Sequence, residues 1–405
     1  MGYELYKFNK NKAFIHFEGF INNEFNYGPR ICINTKGEKL FELPDRDMLV
    51  DEFEDEDIAF VMDYAGKHAM LNSKGKFLTN FVYDNFYSGS EEGLFEAVRQ
   101  GKHGHIDING NEVIPCIYDD GCYFSEGLAA EYLNGKCGMV DYFNNTVIPF
   151  EYEEICICKN NLINAKKNGK YGFINKNNEV IADFIYDEID CWNTRRCTVY
   201  PAMKNDKYGL IDIYGNVVEP FIYEDAQVVS DLDDNFGEYI YLLKEDDGKA
   251  IYSVAEERFI TDFVYDNIGY LSENRFLVYK DGKAGYIDIN GNEVTPLIFD
   301  QYTRDDFNNG YASVCQNGKF GMINYDGDLV IPCMYYLLDS YKGGLIRAID
   351  DNNDTGFIDI KNNIVIPFGK FYTHSNFECG LVAVHSKEYG NVYIDKNGDI
   401  LEIKV

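Results

Sequence analysis

Apolar residues in this chain fall in short runs separated by polar and turn-forming residues, and no stretch shows the three-and-four spacing of an amphipathic helix. Gly285-Tyr-Ile-Asp-Ile predicts a strand, Asn290-Gly291 a tight reversal of type I′, and Asn292-Glu-Val-Thr-Pro the returning strand. Lys36-Gly37, Lys74-Gly75, Tyr214-Gly215 and Asp326-Gly327 stand at the same place in other hairpins. Pro115, Pro149, Pro220, Pro296, Pro332 and Pro367 are expected to end the second strand, because proline cannot donate to a ladder. A further strand is expected in 127–133 (GLAAEYL) and 310–314 (GYASV), and a shorter one after Tyr152.

The hairpin recurs. GKHGHIDINGNEVIPCIYD at 101–119 and GKAGYIDINGNEVTPLIFD at 282–300 share fourteen of nineteen positions. Anchoring on the residue before the x-Ile-Asp/Asn strand gives Ile31, Ala69, Gly104, Gly138, Gly172, Gly209, Ile251, Gly285, Gly321, Gly356 and Val392, spaced by 34 to 42 residues. Fourteen residues after the anchor stands Tyr83, Tyr118, Tyr152, Tyr186, Tyr223, Tyr265, Phe299 or Tyr335, and an acid follows in seven of these eight units. The anchor-to-aromatic interval is fixed, whereas the rest of the unit varies and tolerates insertion. Such a period marks a repeat architecture, in which each unit is too small to bury a core alone and stacks on its neighbours.

The expected organisation is ten tandem β-repeats over 29–386, an N-terminal cap at 1–28 and a C-terminal half-repeat cap at 387–405. The expected fold is all-β, an elongated superhelical array of units of about 35 residues, with one or two β-propellers as the alternative.

Composition narrows the function. Aromatics make up 16% of the 405 residues, mostly Tyr and Phe with a single Trp, which suits strands. The net charge of −31 argues against direct nucleic-acid binding, which needs a basic face, and suits a cationic protein partner. No apolar run reaches the roughly 18–20 residues of a membrane span. The start, MGYELYKFNKNKAFIHF, lacks the apolar core of a secretory signal, so a cytoplasmic location is expected. The eleven cysteines are odd in number and lack a CxxC, the nearest pair being Cys156-Ile-Cys158. They are expected to be buried reduced thiols, with no metal site or disulfide framework.

The pattern Gly-Lys-x-Gly-x-Ile-Asp, Val-Ile-Pro, Tyr-Asp, Gly-Leu-Ala resembles the bacterial WG (or KWG) β-repeat family over roughly residues 29–405. The namesake Trp is missing from every unit. Its slot holds His68, His103, Cys137, Tyr171, Tyr208, Ala250, Ala284, Phe320 and Thr355. The resemblance implies a β-rich region used mainly for interaction, and a general catalytic role is not part of that implication; no cofactor is expected.

Groups that could carry chemistry are mostly too repetitive to do so. The Asp or Asn three residues after the anchor occurs in ten of eleven units, which predicts a turn-bonding side chain instead of a catalytic one. The Tyr-Asp pairs predict a buried ring with an acid near a turn. Asp107-Ile-Asn109-Gly-Asn111-Glu112 and Asp350-Asp-Asn352-Asn-Asp354 resemble calcium loops only faintly, with the wrong residues at the sixth position. His103-Gly-His105 offers two imidazoles, but in slots that hold aromatics elsewhere.

Partner-binding candidates come from three long connections at one place in the repeat. They are Asp51, Glu52, Glu54, Asp55, Glu56 and Asp57; Trp192, Arg195 and Arg196; and Asp231, Asp233 and Asp234. The leading expectation is a non-enzymatic scaffold presenting an acidic loop face to a cationic protein. The alternatives are a hydrolase working in a groove lined by Tyr and acids, and an acidic mimic of nucleic acid.

Overall fold

The computed structural model of the chain describes all residues except 1, 6–8, 10, 22–23, 46–47, 52, 54–56, 88–92, 123, 159–161, 192–197, 230–238, 246, 304–306 and 404–405. For 2–4, 17–21 and 24–29 it describes the backbone alone. Among the described residues the chain is all-β. Eleven antiparallel sheets of two to four strands follow one another along the sequence, one to each repeat, and no helix interrupts them. They fall into two compact units, one of residues 1–124, 142–144 and 344–405, the other of 125–141 and 145–343.

The fifth sheet shows how a repeat becomes a sheet. Its strands are Glu154–Ile157, Leu162–Lys167, Lys170–Asn175 and Val180–Tyr186, in that spatial order. The middle pair is joined by Asn168-Gly169, both left-handed with φ of 54° and 76°, as a type I′ turn demands. The predicted I′ turns are therefore one hairpin out of place. In the 285–300 unit the I′ pair is Asp281-Gly282 (φ 49° and 72°), whereas at Asn290-Gly291 only the glycine is left-handed (φ 83°). The cause is the repeated Asp. One oxygen of Asp288 accepts the amides of Asn290 and Asn292 at 2.8 and 2.9 Å, which holds the residues between in a right-handed turn and leaves Gly291 to form a bulge. The equivalent side chain plays this part in every unit that has one, from Asn34 to Asp395.

Pro367 follows its strand Ile364–Ile366 as expected, but four other prolines behave differently. The strands Glu112–Tyr118, Thr146–Tyr152, Val217–Tyr223 and Leu329–Tyr335 run straight through Pro115, Pro149, Pro220 and Pro332. Each lies at the edge of its sheet, where the missing N–H costs no ladder bond. The edge strand also bulges. His103 and His105, two residues apart, pair with Tyr118 and Ile114, four apart. The surplus backbone crosses directly over the anchor, and a Cβ on Gly104 would sit 2.6 Å from the Ile114 carbonyl oxygen. That close approach is why the anchor is so often glycine. In three units a Thr hydroxyl takes the place of the edge-strand carbonyl: Thr79, Thr261 and Thr295 accept the amides of Met70, Ile251 and Tyr286, each at 2.9 Å.

Among the described residues the apolar clusters are shared between neighbouring sheets. The sixth, seventh and eighth sheets span 188–223, 225–259 and 267–300, and within the second unit sheets five, six and seven share one cluster containing Phe173, Tyr186, Tyr200, Leu210, Tyr223 and Tyr252. The repeated Tyr is buried and its hydroxyl reaches the next unit's turn, from Tyr152 to Asn178 Oδ1 at 2.6 Å and from Tyr186 to the Gly215 carbonyl at 2.9 Å. The acid beside it clamps two sheets together. Asp187 accepts from the Lys170 ammonium of its own sheet and from the Asn205 amide in the next I′ turn at 2.9 Å. Asp84 with Lys67 and Gly101, and Asp300 with Lys283 and Gly318, repeat the arrangement. The Tyr-Asp pair and the Lys two residues before the anchor are thus the joint between repeats.

Within the first unit, the segments expected as caps share a core. Ala13, Ile15, Ile31 and Ile33 of the first sheet pack on Leu381 and Tyr393 of the last. Gly37 lies against the Glu402 carbonyl much as Gly110 lies against that of Leu78.

Candidate functional site

The three insertions all connect the first strand of a sheet to its second. Residues 51–57 follow Leu49–Val50, 190–198 follow Glu188–Ile189, and 229–238 follow Asp225–Val228. Of the residues expected to bind a partner, Glu52, Glu54, Asp55, Glu56, Trp192, Arg195, Arg196, Asp231, Asp233 and Asp234 lie outside the described residues. Asp51 is exposed. Asp57 is left-handed (φ 62°) and pairs with Lys12 Nζ at 2.6 Å. Between them Phe53 is buried and stacks on Phe14 at 5.3 Å, so this acidic loop is pinned at its centre by a ring.

A more continuous polar surface lies in the second unit, on one face of sheets five to eight. It begins where the family's Trp would stand. Tyr171 is half-buried and donates to Glu154 at 2.5 Å, with Lys166 over its ring at 4.9 Å. Tyr208 donates to Glu188 at 2.9 Å. In the seventh sheet Tyr241 donates to Gln227, and Lys249 lies 4.3 Å from the Tyr241 ring centre while bonding Asn267 at 2.9 Å. In the eighth, Tyr279 donates to the Thr303 carbonyl at 2.7 Å. Four half-buried phenols thus line up with Glu154, Glu188, Asp190 and Asp225, against two lysines.

The electrostatics fit a row of this kind. Burial first, and then the Glu154 carboxylate, pushes Tyr171 up to about 12. Tyr208 is pushed equally far by burial and Glu188, and Tyr241 by burial together with Asp225 and Asp190. These three phenols therefore stay donors at neutral pH. Glu154 is held below the usual carboxylate range, chiefly by the Tyr171 hydroxyl and then by Lys166. Burial lowers Lys249.

The row opens into a cleft of about 480 Å³ between sheets seven and eight, lined by Gln227, Tyr241, Asn267, Tyr270, Leu277 and Tyr279 among others. Tyr270 is 56% exposed at its rim. Sequence reasoning missed this surface because it looked for one unusual unit. Part of the signal was present in the list of residues filling the Trp slot, where two successive units carry Tyr, but the ladder corrects the next one: Lys249, not Ala250, stands in the slot of the seventh sheet.

The two imidazoles singled out in the sequence part company. His105 is buried against Phe124 at 4.8 Å, and burial lowers it to about 4, so it is neutral at pH 7. His103 bonds Glu96 at 2.5 Å. Glu96, His103 and Asp120 bring one donor atom each within 4.8 Å of one another, but Asp120 is exposed and the imidazole nitrogen is already engaged by Glu96. In the faint calcium loops, one oxygen each of Asp107 and Asp350 is committed to turn amides.

Comparison with known proteins bears on the repeat directly. A family profile described as WG containing repeat matches residues 104–137, 138–171, 171–208, 256–283, 285–320, 320–353 and 356–385. No curated protein sequence matches the chain. Among solved structures, a eukaryotic initiation factor is 15% identical, covering 66% of this chain and 83% of its own at a TM-score of 0.41. The computationally designed Ika8 protein is 11% identical, covering 72% and 98% at 0.34. BamB from Moraxella catarrhalis is 11% identical, covering 73% and 92% at 0.29. At these scores the likenesses carry no argument about function.

Proposed function

This chain belongs to the family of WG-containing repeats, and from that premise we propose that it is a non-enzymatic interaction scaffold for a protein partner with an extended cationic segment. The observation that carries the reading is the row of phenols and carboxylates on sheets five to eight, ending in the cleft. A lysine or arginine side chain laid along such a row meets carboxylates for its charge and ring faces for its stem. The acidic segments 51–57 and 231–234 add to the field that attracts it, and the net charge of −31 speeds encounter at low salt. The partner's affinity is expected to fall as salt rises, because much of it is charge pairing in a half-exposed setting.

Hydrolysis is the weaker reading. A general acid needs a carboxyl raised towards neutrality, whereas Glu154 is held low by its phenol.

The test is fluorescence anisotropy with a labelled Lys/Arg-rich peptide and its Glu-rich counterpart. The native protein should bind the basic peptide, with affinity falling at high salt. The combined Glu154→Gln, Glu188→Gln and Asp225→Asn variant, checked for folding by circular dichroism, should bind it at least about tenfold more weakly, a loss of about 1.4 kcal/mol. Equal affinity in the folded variant would move the site away from this face and back to the acidic loops. Equal binding of both peptides would overturn the cationic preference.

A further inference from the structure

We propose that Cys191, together with Cys156 and Cys158, forms a thiol centre that hydrogen peroxide converts reversibly to a disulfide, at the root of the segment carrying Trp192, Arg195 and Arg196. Cys156 lies in the short strand Glu154–Ile157 and Cys158 directly after it, while Cys191 follows Glu188–Ile189 in the neighbouring sheet. Asn164 stands opposite Cys156 in the ladder. Its Nδ2 reaches the Cys191 sulfur at 3.4 Å and the Ile189 carbonyl at 3.1 Å. The thiols of Cys156 and Cys158 also hydrogen-bond the Cys191 sulfur. One sulfur therefore collects three donors, two of them thiols.

The surroundings divide the work. Cys158, Asn164 and Cys191 are 1%, 4% and 5% exposed, whereas Cys156 is half-buried and gives a small oxidant a side to approach from. Asn164 Oδ1 finds no hydrogen-bond partner among the described residues, so the amide is held with its donor on sulfur at the expense of its acceptor. Donors aimed at Cys191 favour its thiolate and hold it below an ordinary thiol, while burial pushes Cys158 up. The centre thus has one nucleophile and two protonated partners.

The chemistry balances with peroxide as the oxidant. The Cys191 thiolate attacks one peroxide oxygen, the O–O bond breaks, and a sulfenic acid and hydroxide form. Hydroxide takes the proton of a partner thiol and leaves as water. The partner thiolate attacks the sulfenic sulfur, the S–S bond forms and the S–O bond breaks. The second hydroxide takes up the proton that Cys191 had released, giving a second water. A cellular dithiol reverses the step. The bond would tie two adjacent sheets together at the residue before Trp192.

The experiment treats the purified full-length protein with stoichiometric peroxide, blocks remaining thiols with N-ethylmaleimide and maps peptides without reduction. The expected result is a cross-link from Cys191 to Cys156 or Cys158, reversed by dithiothreitol. It should form about tenfold faster than oxidation of the exposed Cys122 and Cys379. Cys191→Ser should abolish the cross-link, and Asn164→Ala should slow it while both partner thiols remain. Irreversible sulfinic acid at Cys191 without a cross-link, or oxidation no faster than at Cys379, would overturn the proposal. So would stoichiometric zinc in the protein as isolated that is lost with Cys191→Ser, since the three sulfurs would then be metal ligands. Should Cys191→Ser fail to fold, the Cys156→Ser and Cys158→Ser pair asks the same question, because losing both must abolish the link.

Discussion

Sheets five and six differ from sheets seven and eight in what fills the slot before the anchor. The first two carry Tyr171 and Tyr208, each bonded to a carboxylate of its own sheet. The next two carry Lys249, which pairs with Tyr265 as His68 pairs with Tyr83, and the buried Ala284, and there the face opens into the cleft. The edge strand differs as well. Sheets five and six have a continuous one, whereas Thr261 and Thr295 supply a hydroxyl in its place in seven and eight. Yet both pairs are cemented by the same kind of shared apolar cluster. In sheets five and six the slot residue, Tyr171 or Tyr208, is half-buried on the face, whereas the repeated Tyr186 and Tyr223 belong to the core. A repeat can therefore lose its namesake ring without losing its fold, and the surface becomes free to vary.

The sharpest way to break that division is to truncate one ring of each kind. Tyr186→Ala removes a buried ring and should cost about 3–5 kcal/mol in urea denaturation. Tyr208→Ala, on the face, should cost nearer 1 kcal/mol while weakening the basic peptide. Equal losses would mean that the slot is part of the core after all. Tyr186→Phe keeps the ring and loses only the bond to Gly215, so it should cost about 1 kcal/mol.

The next effect separates the two kinds of edge. A methyl on Gly172 would sit 2.7 Å from the Ala182 carbonyl oxygen, with backbone on every near side. Gly172→Ala should therefore cost about 1–3 kcal/mol by overpacking. In the seventh sheet the ladder puts Ala250 in the anchor's place and Ile251 one residue on, so the sensitive position moves to the hydroxyl. Thr261→Val leaves the Ile251 amide without its acceptor and should cost about 1–3 kcal/mol, whereas the same exchange at an exposed Thr should not register.

The strands, their order and the stacking logic were legible in the sequence, because periodicity and the fixed anchor-to-Tyr interval are properties of the backbone. The turn types were not. Asn290-Gly291 looks like a I′ pair until Asp288 is seen to accept two amides beyond it, a competition between side chain and backbone that a dipeptide does not reveal. Pro115 and its equivalents were misplaced for a related reason, since a proline ends an inner strand but sits comfortably in an edge strand. The role of the repeated Asp was read correctly, while the Lys before the anchor was overlooked: its partner lies seventeen residues on, and only the fold joins them. The phenol row escaped because each of its members looks ordinary alone.

The smallest effect concerns that clamp and is read by acid. Lysine and a turn amide both favour the ionised form of Asp187, and the same holds for Asp84 and Asp300, so all three sit below the ordinary carboxylate value. A carboxyl lowered by folding adds stability that is present above its unfolded value, about 3.9, and lost as pH falls through its folded value. The thermal midpoint should therefore hold steady from neutrality to about pH 5 and fall below pH 4. These carboxylates are only partly buried and remain open to solvent, so each alone should move it only slightly. Asp187→Asn should lower the midpoint at pH 7 and flatten the acid limb by one group's share, and salt should reduce the difference. The carboxylates facing the phenols give the contrast. Glu188→Gln should leave the midpoint nearly unchanged while changing peptide binding, because it sits on the surface that can vary and not in the joint between sheets.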